Sequence, residues 1–356
     1  MRLLICAGGT GGGVYPALTV TETLDKTKHP ILWVGSEGGM EEALVTRTGL
    51  DYQSIQAAGV HGVSFKDLPR NLARLARGYR QSKTILKSFQ PDVMLFTGGY
   101  VAIPMALAGM KYKSLLYVPD IEPGLALKTL ARFSDRIAMT VNDTKKWFKA
   151  NKKMTITGYP LREELKKWTR EKAQAYFKLE PGIPTILFIG GSSGARSINQ
   201  AVMAILDQLT LDYQVIHLTG LLDWETVEAN TVDAGPRYHA FPYLHEVGAA
   251  LAAADLAVSR AGASTLGEYP YFGLPAILVP YPYAWRYQKV NADYLVDREA
   301  AVLLRDEDLR TQLLDTIHEL LAQPDQLAHM SRNMRALSQP MAAERIAELL
   351  FEMAEA

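Results

Sequence analysis

Short apolar runs alternate with amphipathic stretches along most of the chain, the pattern of βαβ units and a parallel sheet. Strands are expected at Arg2–Ala7, Pro30–Val34, Val93–Thr97, Ser114–Val118, about Arg136–Thr140 and near Met154–Thr157. A second series follows at Thr185–Ile189, Tyr213–Leu218, Tyr238–Phe241, Leu256–Ser259 and Ala276–Pro280. Helices fill the gaps; Ile198, Val202, Ile205, Leu206 and Leu209, for example, recur at helical spacing. A turn signal at Gly158-Tyr159-Pro160 marks a boundary, and each half opens with a strand feeding a glycine-rich turn. The expected fold class is therefore α/β, with two similar Rossmann-like domains.

Composition narrows the class. The 356 residues, 48% of them hydrophobic, suffice for two domains with their own cores and exclude intrinsic disorder. A single cysteine, Cys6, rules out a disulfide scaffold and fits a reducing cytosol. The longest apolar stretches, Tyr100–Met110 and Val247–Val258, fall short of the ~20 residues that span a bilayer. The N-terminus lacks a signal-peptide cleavage pattern, so a cytoplasmic protein is expected.

Charge adds an asymmetry. The chain as a whole balances 38 basic against 38 acidic residues, but residues 1–160 carry 21 basic and 12 acidic ones. The first half should therefore face something anionic. No aromatic-rich RNA motif or zinc-finger spacing accompanies the excess, so nucleic acid is not the expected partner. A membrane surface or a phosphorylated substrate explains it as well.

Four stretches carry candidate chemistry. Ala7-Gly8-Gly9-Thr10-Gly11-Gly12-Gly13 runs from the first strand into a helix, and Gly190-Gly191-Ser192-Ser193-Gly194-Ala195-Arg196 repeats that arrangement in the second half. Glycines let backbone amides approach an anion, and the helix N-terminus adds its positive dipole end. The first stretch is not a dinucleotide fingerprint, because Val14 stands where the last glycine would be. The third stretch is Ser259–Glu268, where Glu268 lies one helical turn from Ser264 and Thr265 and suits the paired hydroxyls of a ribose. In the fourth, Tyr287-Gln288-Lys289-Val290-Asn291, the amides of Gln288 and Asn291 share one helix face.

These motifs, with Thr97-Gly98-Gly99-Tyr100-Val101, Thr157–Arg162 and Gly273-Leu274-Pro275, occur in an order that resembles the MurG family of peptidoglycan glycosyltransferases. The resemblance covers nearly the whole chain. It implies a GT-B fold, with two Rossmann-like domains whose parallel sheets face a cleft, and a final helix, Met341–Met353, crossing back to the first domain. The domains would then be 1–158 plus 340–356, acceptor- and membrane-facing, and 159–339, which binds a UDP-sugar.

The implied activity is inverting, metal-independent transfer of N-acetylglucosamine from UDP-N-acetylglucosamine to a lipid-linked muramyl-peptide, with no cofactor. On the donor side it implies Glu268 for the ribose, Ser192 and the backbone of Ala263, Ser264 and Thr265 for the diphosphate, and the Leu244 backbone for uracil. Arg162 would lie nearby, and Gln288 and Asn291 would face the sugar. Thr10, Gly11, Gly12, Gly13, Gly99 and Tyr100 would form the acceptor and phosphate loops.

The departures bear on the catalytic base. Family histidines are replaced by Gly13 and Tyr117, and the first of two family glutamines by Tyr287. Asp120, Glu122 and His61 remain as candidate bases, Asp120 first because it aligns within the family's polar stretch. The departures leave open a different glycolipid acceptor or a non-catalytic UDP-sugar-binding protein.

Between Lys66 and Lys87 seven basic residues meet one acid, Asp67; Leu68, Leu72, Leu75 and Tyr79 are predicted to form the apolar stripe of a helix. With Arg70, Arg74, Arg77 and Arg80 mostly opposite, that helix is expected to hold the protein peripherally on the cytoplasmic face of the anionic inner membrane.

Overall fold

A computed structural model describes residues 1–9, 11–58, 68–191 and 194–356, except the side chains of 68, 284 and 285. The expectations for Thr10, His61 and Ser192 therefore fall outside the described residues. The chain divides into two compact units, Met1–Pro160 with Met341–Ala356, and Leu161–Pro340.

In the first unit seven strands pair in parallel: β1 (Leu3–Ala7), β2 (Ile31–Ser36), β3 (Asp51–Ile55), β4 (Val93–Gly98), β5 (Lys113–Val118), β6 (Arg136–Met139) and β7 (Lys153–Ile156). Their order is β3-β2-β1-β4-β5-β6-β7. Side chains of β1 alternate between two cores. Leu3 and Ile5 pack with Trp33, Leu95, Ile346 and Leu350, whereas Leu4 and Cys6 pack with Val34, Phe96, Met105 and Ile85. A strand apolar on both faces is what a parallel sheet covered by helices on both sides requires. The last helix, Ala342–Glu355, belongs to the first of these cores and is also tied by Arg345, which donates to the Thr157 carbonyl at 3.1 Å.

The second unit pairs six strands in parallel: β8 (Thr185–Ile189), β9 (Gln214–Leu218), β10 (Tyr238–Phe241), β11 (Leu256–Ser259), β12 (Ala276–Leu278) and β13 (Ala301–Leu303), in the order β10-β9-β8-β11-β12-β13. In both sheets the first strand has its sequence successor on one side and a later strand on the other. The loops after β1 and β4, and those after β8 and β11, therefore diverge and leave a crevice at the carboxyl ends of the strands.

Three features depart from the sequence pattern. Strands β3 and β13 are edge strands; β3 is Asp-Tyr-Gln-Ser-Ile and mostly exposed, and β13 spans only three residues. On the helix Leu68–Phe89 the expected stripe is displaced, because Leu72 is 53% exposed. The buried line runs through Asn71, Gly78, Ser82, Ile85 and Leu86. Gly78 lies there because a Cβ would stand 2.0 Å from the Gln56 carbonyl oxygen, so the backbone itself packs against the loop after β3.

Candidate active site

In the second unit the turn after β8 is built for close approach. Gly191 and Gly194 have φ of +85° and +79°, and a Cβ on Gly194 would lie 2.1 Å from the Thr219 carbonyl oxygen. Only glycine meets both conditions. The turn closes where Gly194 N–H donates to the Gly191 carbonyl at 3.0 Å, and the helix Arg196–Asp212 begins immediately after it.

A buried polar chain supports this turn. Asn199 donates to the Thr219 carbonyl and to Asp223, and its carbonyl oxygen lies 2.9 Å from His217 Nε2; His217 Nδ1 is 2.8 Å from the Tyr238 hydroxyl. Burial pushes His217 down to about 3, so its ring is neutral at physiological pH. Asp223, beside the turn, is compensated by Arg196 Nε at 2.9 Å.

Across the crevice, β11 leads through Arg260 and Ala261 into the short turn Ala263–Leu266 and the helix Glu268–Phe272. Arg260 braces the strand ends, donating to Asp306 at 2.5 Å, to the Ser197 hydroxyl at 2.8 Å and to the Val279 carbonyl at 3.2 Å. Glu268 is largely buried with Arg162 3.9 Å away. Burial raises its carboxyl above the usual range, while Arg162 and the Ser264 hydroxyl oppose that rise. A carboxylate held this way keeps a strong demand for hydrogen-bond donors, such as vicinal hydroxyls.

The two amides predicted to share a helix face take different parts. Asn291 is fully buried and donates to the Ala261 carbonyl at 3.1 Å, so it positions the β11 loop. Gln288 is half-buried and accepts from Tyr281 N–H at 2.7 Å. Leu244 is half-buried in the loop after β10. A cavity of about 650 Å³ lined by Trp168, Arg170, Tyr271 and Arg335 lies elsewhere, at the amino ends of β8 and β11, where Asp255 accepts from Thr185 N–H.

In the first unit the loops after β1 and β4 also approach closely. Gly99 has φ of +86°, and its Cβ would lie 2.4 Å from the Gly8 carbonyl oxygen. The glycine turn after β1 already holds an anion. The Glu41 carboxylate, fully buried, accepts from Gly9 N–H at 3.2 Å, Ser36 N–H at 2.7 Å and the Ser36 hydroxyl at 2.6 Å. Burial opposes its ionisation, but these bonds outweigh it and hold its carboxyl below the usual range. No sequence motif marked Glu41, since it lies 32 residues from its glycine partner. Gly11, Gly12 and Gly13 start the helix Gly11–Glu22, and Tyr100 stands exposed after β4.

Two family models match the chain: the glycosyltransferase family 28 N-terminal domain over residues 3–139 and the family 28 C-terminal domain over residues 185–347. Curated relatives agree over their full length. A Roseiflexus sp. (strain RS-1) protein is 37% identical over 98% of this chain and 94% of its own, and one from Halalkalibacterium halodurans is 35% identical over 100% of both. Both are named UDP-N-acetylglucosamine–N-acetylmuramyl-(pentapeptide) pyrophosphoryl-undecaprenol N-acetylglucosamine transferase. The chain is a MurG-family glycosyltransferase. The Acinetobacter baumannii MurG crystal structure superposes with a TM-score of 0.78 at 26% identity, covering 99% of each chain. The Neisseria meningitidis UDP-GlcNAc 2-epimerase shares the fold with a TM-score of 0.70 at 13% identity, covering 99% of this chain and 100% of its own. The fold is accordingly GT-B, with two Rossmann-like units.

Two of the positions that depart from the family pattern, Tyr117 and Gly13, are buried. Tyr117 is 1% exposed and inside the core; its hydroxyl donates to the Gly158 carbonyl at 3.2 Å and lies 2.9 Å from Thr140 Oγ1. At Gly13 a Cβ would lie 3.3 Å from the Thr97 carbonyl oxygen, a tight contact that a larger residue would relieve by a shift of a few tenths of an ångström. Glu122, one of the candidate bases, is 2% exposed and paired with Lys128 at 3.3 Å. The Lys128 ammonium itself lies over the Trp147 ring at 4.5 Å. That enclosure argues against Glu122 as a base, whereas Asp120 on the same loop is half-buried. Arg70, Arg74, Arg77 and Arg80 are all exposed. Among the described residues no helix is long and apolar enough to cross a membrane, and no group of three or more His, Cys, Asp or Glu side chains is placed to hold a metal ion.

Proposed function

We propose that this enzyme transfers N-acetylglucosamine, with inversion, from UDP-N-acetylglucosamine to a lipid-linked muramyl-peptide acceptor in peptidoglycan precursor synthesis. The observation that carries the reading is the second unit's crevice: a glycine turn at a helix N-terminus on one side and the enclosed Glu268 carboxylate on the other. In this reading Glu268 accepts the ribose hydroxyls and the Leu244 backbone meets uracil. Ser192 and the backbone of Ala263, Ser264 and Thr265 bind the diphosphate, with Arg162 alongside Glu268. Gln288 faces the sugar, and Asn291 holds the loop beneath it. Negative charge on the departing UDP is met by fixed donors and a helix dipole.

Asp120 removes the proton from the acceptor hydroxyl, a role worth about 10²–10⁴-fold in rate. Gly11, Gly12, Gly13, Gly99 and Tyr100 shape the acceptor side. The names of the curated relatives support donor and acceptor alike.

Incubation with sugar-labelled UDP-N-acetylglucosamine and a short-chain lipid-linked muramyl-peptide tests this reading. Label should enter the lipid with release of UDP, and Asp120→Asn should lose most of that rate while still binding UDP. Transfer only to another glycolipid would favour a different acceptor, which the loss of both family histidines makes the second reading. UDP binding without transfer to any acceptor would indicate a binding protein.

The exposed Arg70, Arg74, Arg77 and Arg80, with the exposed Leu72, support peripheral attachment to the cytoplasmic face of the inner membrane. Vesicle sedimentation should show binding to anionic but not neutral liposomes, lost when the four arginines become glutamates.

A further inference from the structure

Beside the proposed donor site the chain exposes a cluster of aromatic rings. After β12, Tyr281 is 42% exposed, Tyr283 91% and Tyr287 37%. Lone exposed apolar residues are ordinary, but three tyrosines within seven positions at the rim of a polar crevice are not. Two of them are placed together: the Tyr281 and Tyr283 rings have centroids 5.4 Å apart at 57°. Tyr281 is also held at its backbone and at its ring. Its N–H donates to Gln288, and the Arg260 guanidinium, itself bonded to Asp306 and Ser197, stacks 5.2 Å from its ring centroid. The ring is therefore preorganised, and it adjoins the amide assigned to the sugar.

We infer that Tyr281 and Tyr283 form a stacking shelf for the C–H face of the donor's hexosamine, a subsite that rests on the donor reading above. A hexosamine has an apolar face of axial C–H bonds and a rim of hydroxyls. An aromatic ring with a polar tip, next to a carboxamide, matches both. A prenyl chain would instead favour an apolar groove with depth, and Tyr283, almost wholly in solvent, offers none. Tyr287, on the same rim, stands where the family places a polar amide, so here the lip of the pocket is more aromatic.

Calorimetry with UDP and with UDP-N-acetylglucosamine tests the shelf. Tyr281→Ala/Tyr283→Ala should bind UDP-N-acetylglucosamine about tenfold more weakly while UDP affinity holds, since two ring contacts are lost and the nucleotide contacts remain. Tyr283→Ala alone, whose ring can leave without disturbing the fold, should weaken UDP-N-acetylglucosamine binding about threefold. Tyr281→Phe/Tyr283→Phe should restore wild-type binding. Unchanged UDP-N-acetylglucosamine affinity in both alanine variants, or an equal loss for both ligands, would overturn the shelf while leaving the donor reading intact. If the unmodified protein bound neither ligand, the donor reading itself would fail and the shelf with it.

Discussion

The two glycine turns at the switch points look alike in sequence and differ in charge. After β1, Gly9 N–H is occupied by the buried Glu41 carboxylate, so that turn carries its own anion. After β8 the neighbouring acid, Asp223, is compensated by Arg196 and Asn199. A glycine-rich turn before a helix is therefore not by itself an anion site; what lies beneath it decides. The first turn is braced for shape, and in the proposed reading the second takes the ligand.

Substitutions should separate the two. The largest effect is expected at Gly194→Ala. Its φ of +79° and the 2.1 Å approach to the Thr219 carbonyl leave no room. UDP binding should disappear with a loss of about 3 kcal/mol or more in stability. Gly9→Ala, at φ +87° with nothing within 4 Å, should cost only the left-handed strain, about 1–2 kcal/mol. Similar losses in chemical denaturation would erase the contrast.

Next is Glu41→Ala, which leaves the Gly9 and Ser36 donors unpaired and should destabilise by about 3 kcal/mol. UDP affinity should be untouched. Because the carboxyl of Glu41 is held below its unfolded value, its contribution is present above the unfolded value and is lost as pH falls through the folded one. A denaturation series across acidic pH, in wild type and Glu41→Gln, should show that loss only in the wild type.

Glu268 has the opposite sign. Its carboxyl is raised in the folded protein, so stability is greater at low pH and is lost as pH rises through the folded value. Glu268→Gln should weaken UDP binding about tenfold, as when a hydrogen bond to a charged group is lost, without lowering the melting temperature at neutral pH. A lower melting temperature would show that the carboxylate is structural. The smallest effect is expected for Arg196→Ala, which frees Asp223 beside the second turn. UDP affinity should fall about threefold, and high salt should narrow that difference. A variant that binds UDP as well as wild type would mean that compensation of Asp223 does not distinguish the turns.

Much of this was legible in the chain. Strands buried on both faces, such as Leu3–Ala7 and Thr185–Ile189, write themselves as apolar runs, and the glycine turns that follow them are local in sequence. Edge strand β3 was not legible, because a strand with one neighbour and an exposed face needs no apolar run, and β13 was missed because it is only three residues long. The helix Leu68–Phe89 misled in another way. Its most apolar line includes Leu72, yet Gly78 sets the buried line because the backbone of Gln56 packs against it.

Periodicity and local motifs by themselves determined the α/β architecture, the two glycine turns and the family resemblance, since each depends on neighbours within a few residues. Tertiary structure alone decided that Glu41 fills one turn, that Asn291 is turned inward to Ala261, that Glu122 is enclosed by Lys128, and that Arg260 braces Tyr281. Partners such as Gly9 and Glu41, or Arg260 and Asp306, lie far apart along the chain. Whether a polar group is spent on the fold or kept for a ligand depends on such partners, and only the packing of strands and helices brings them within hydrogen-bond reach.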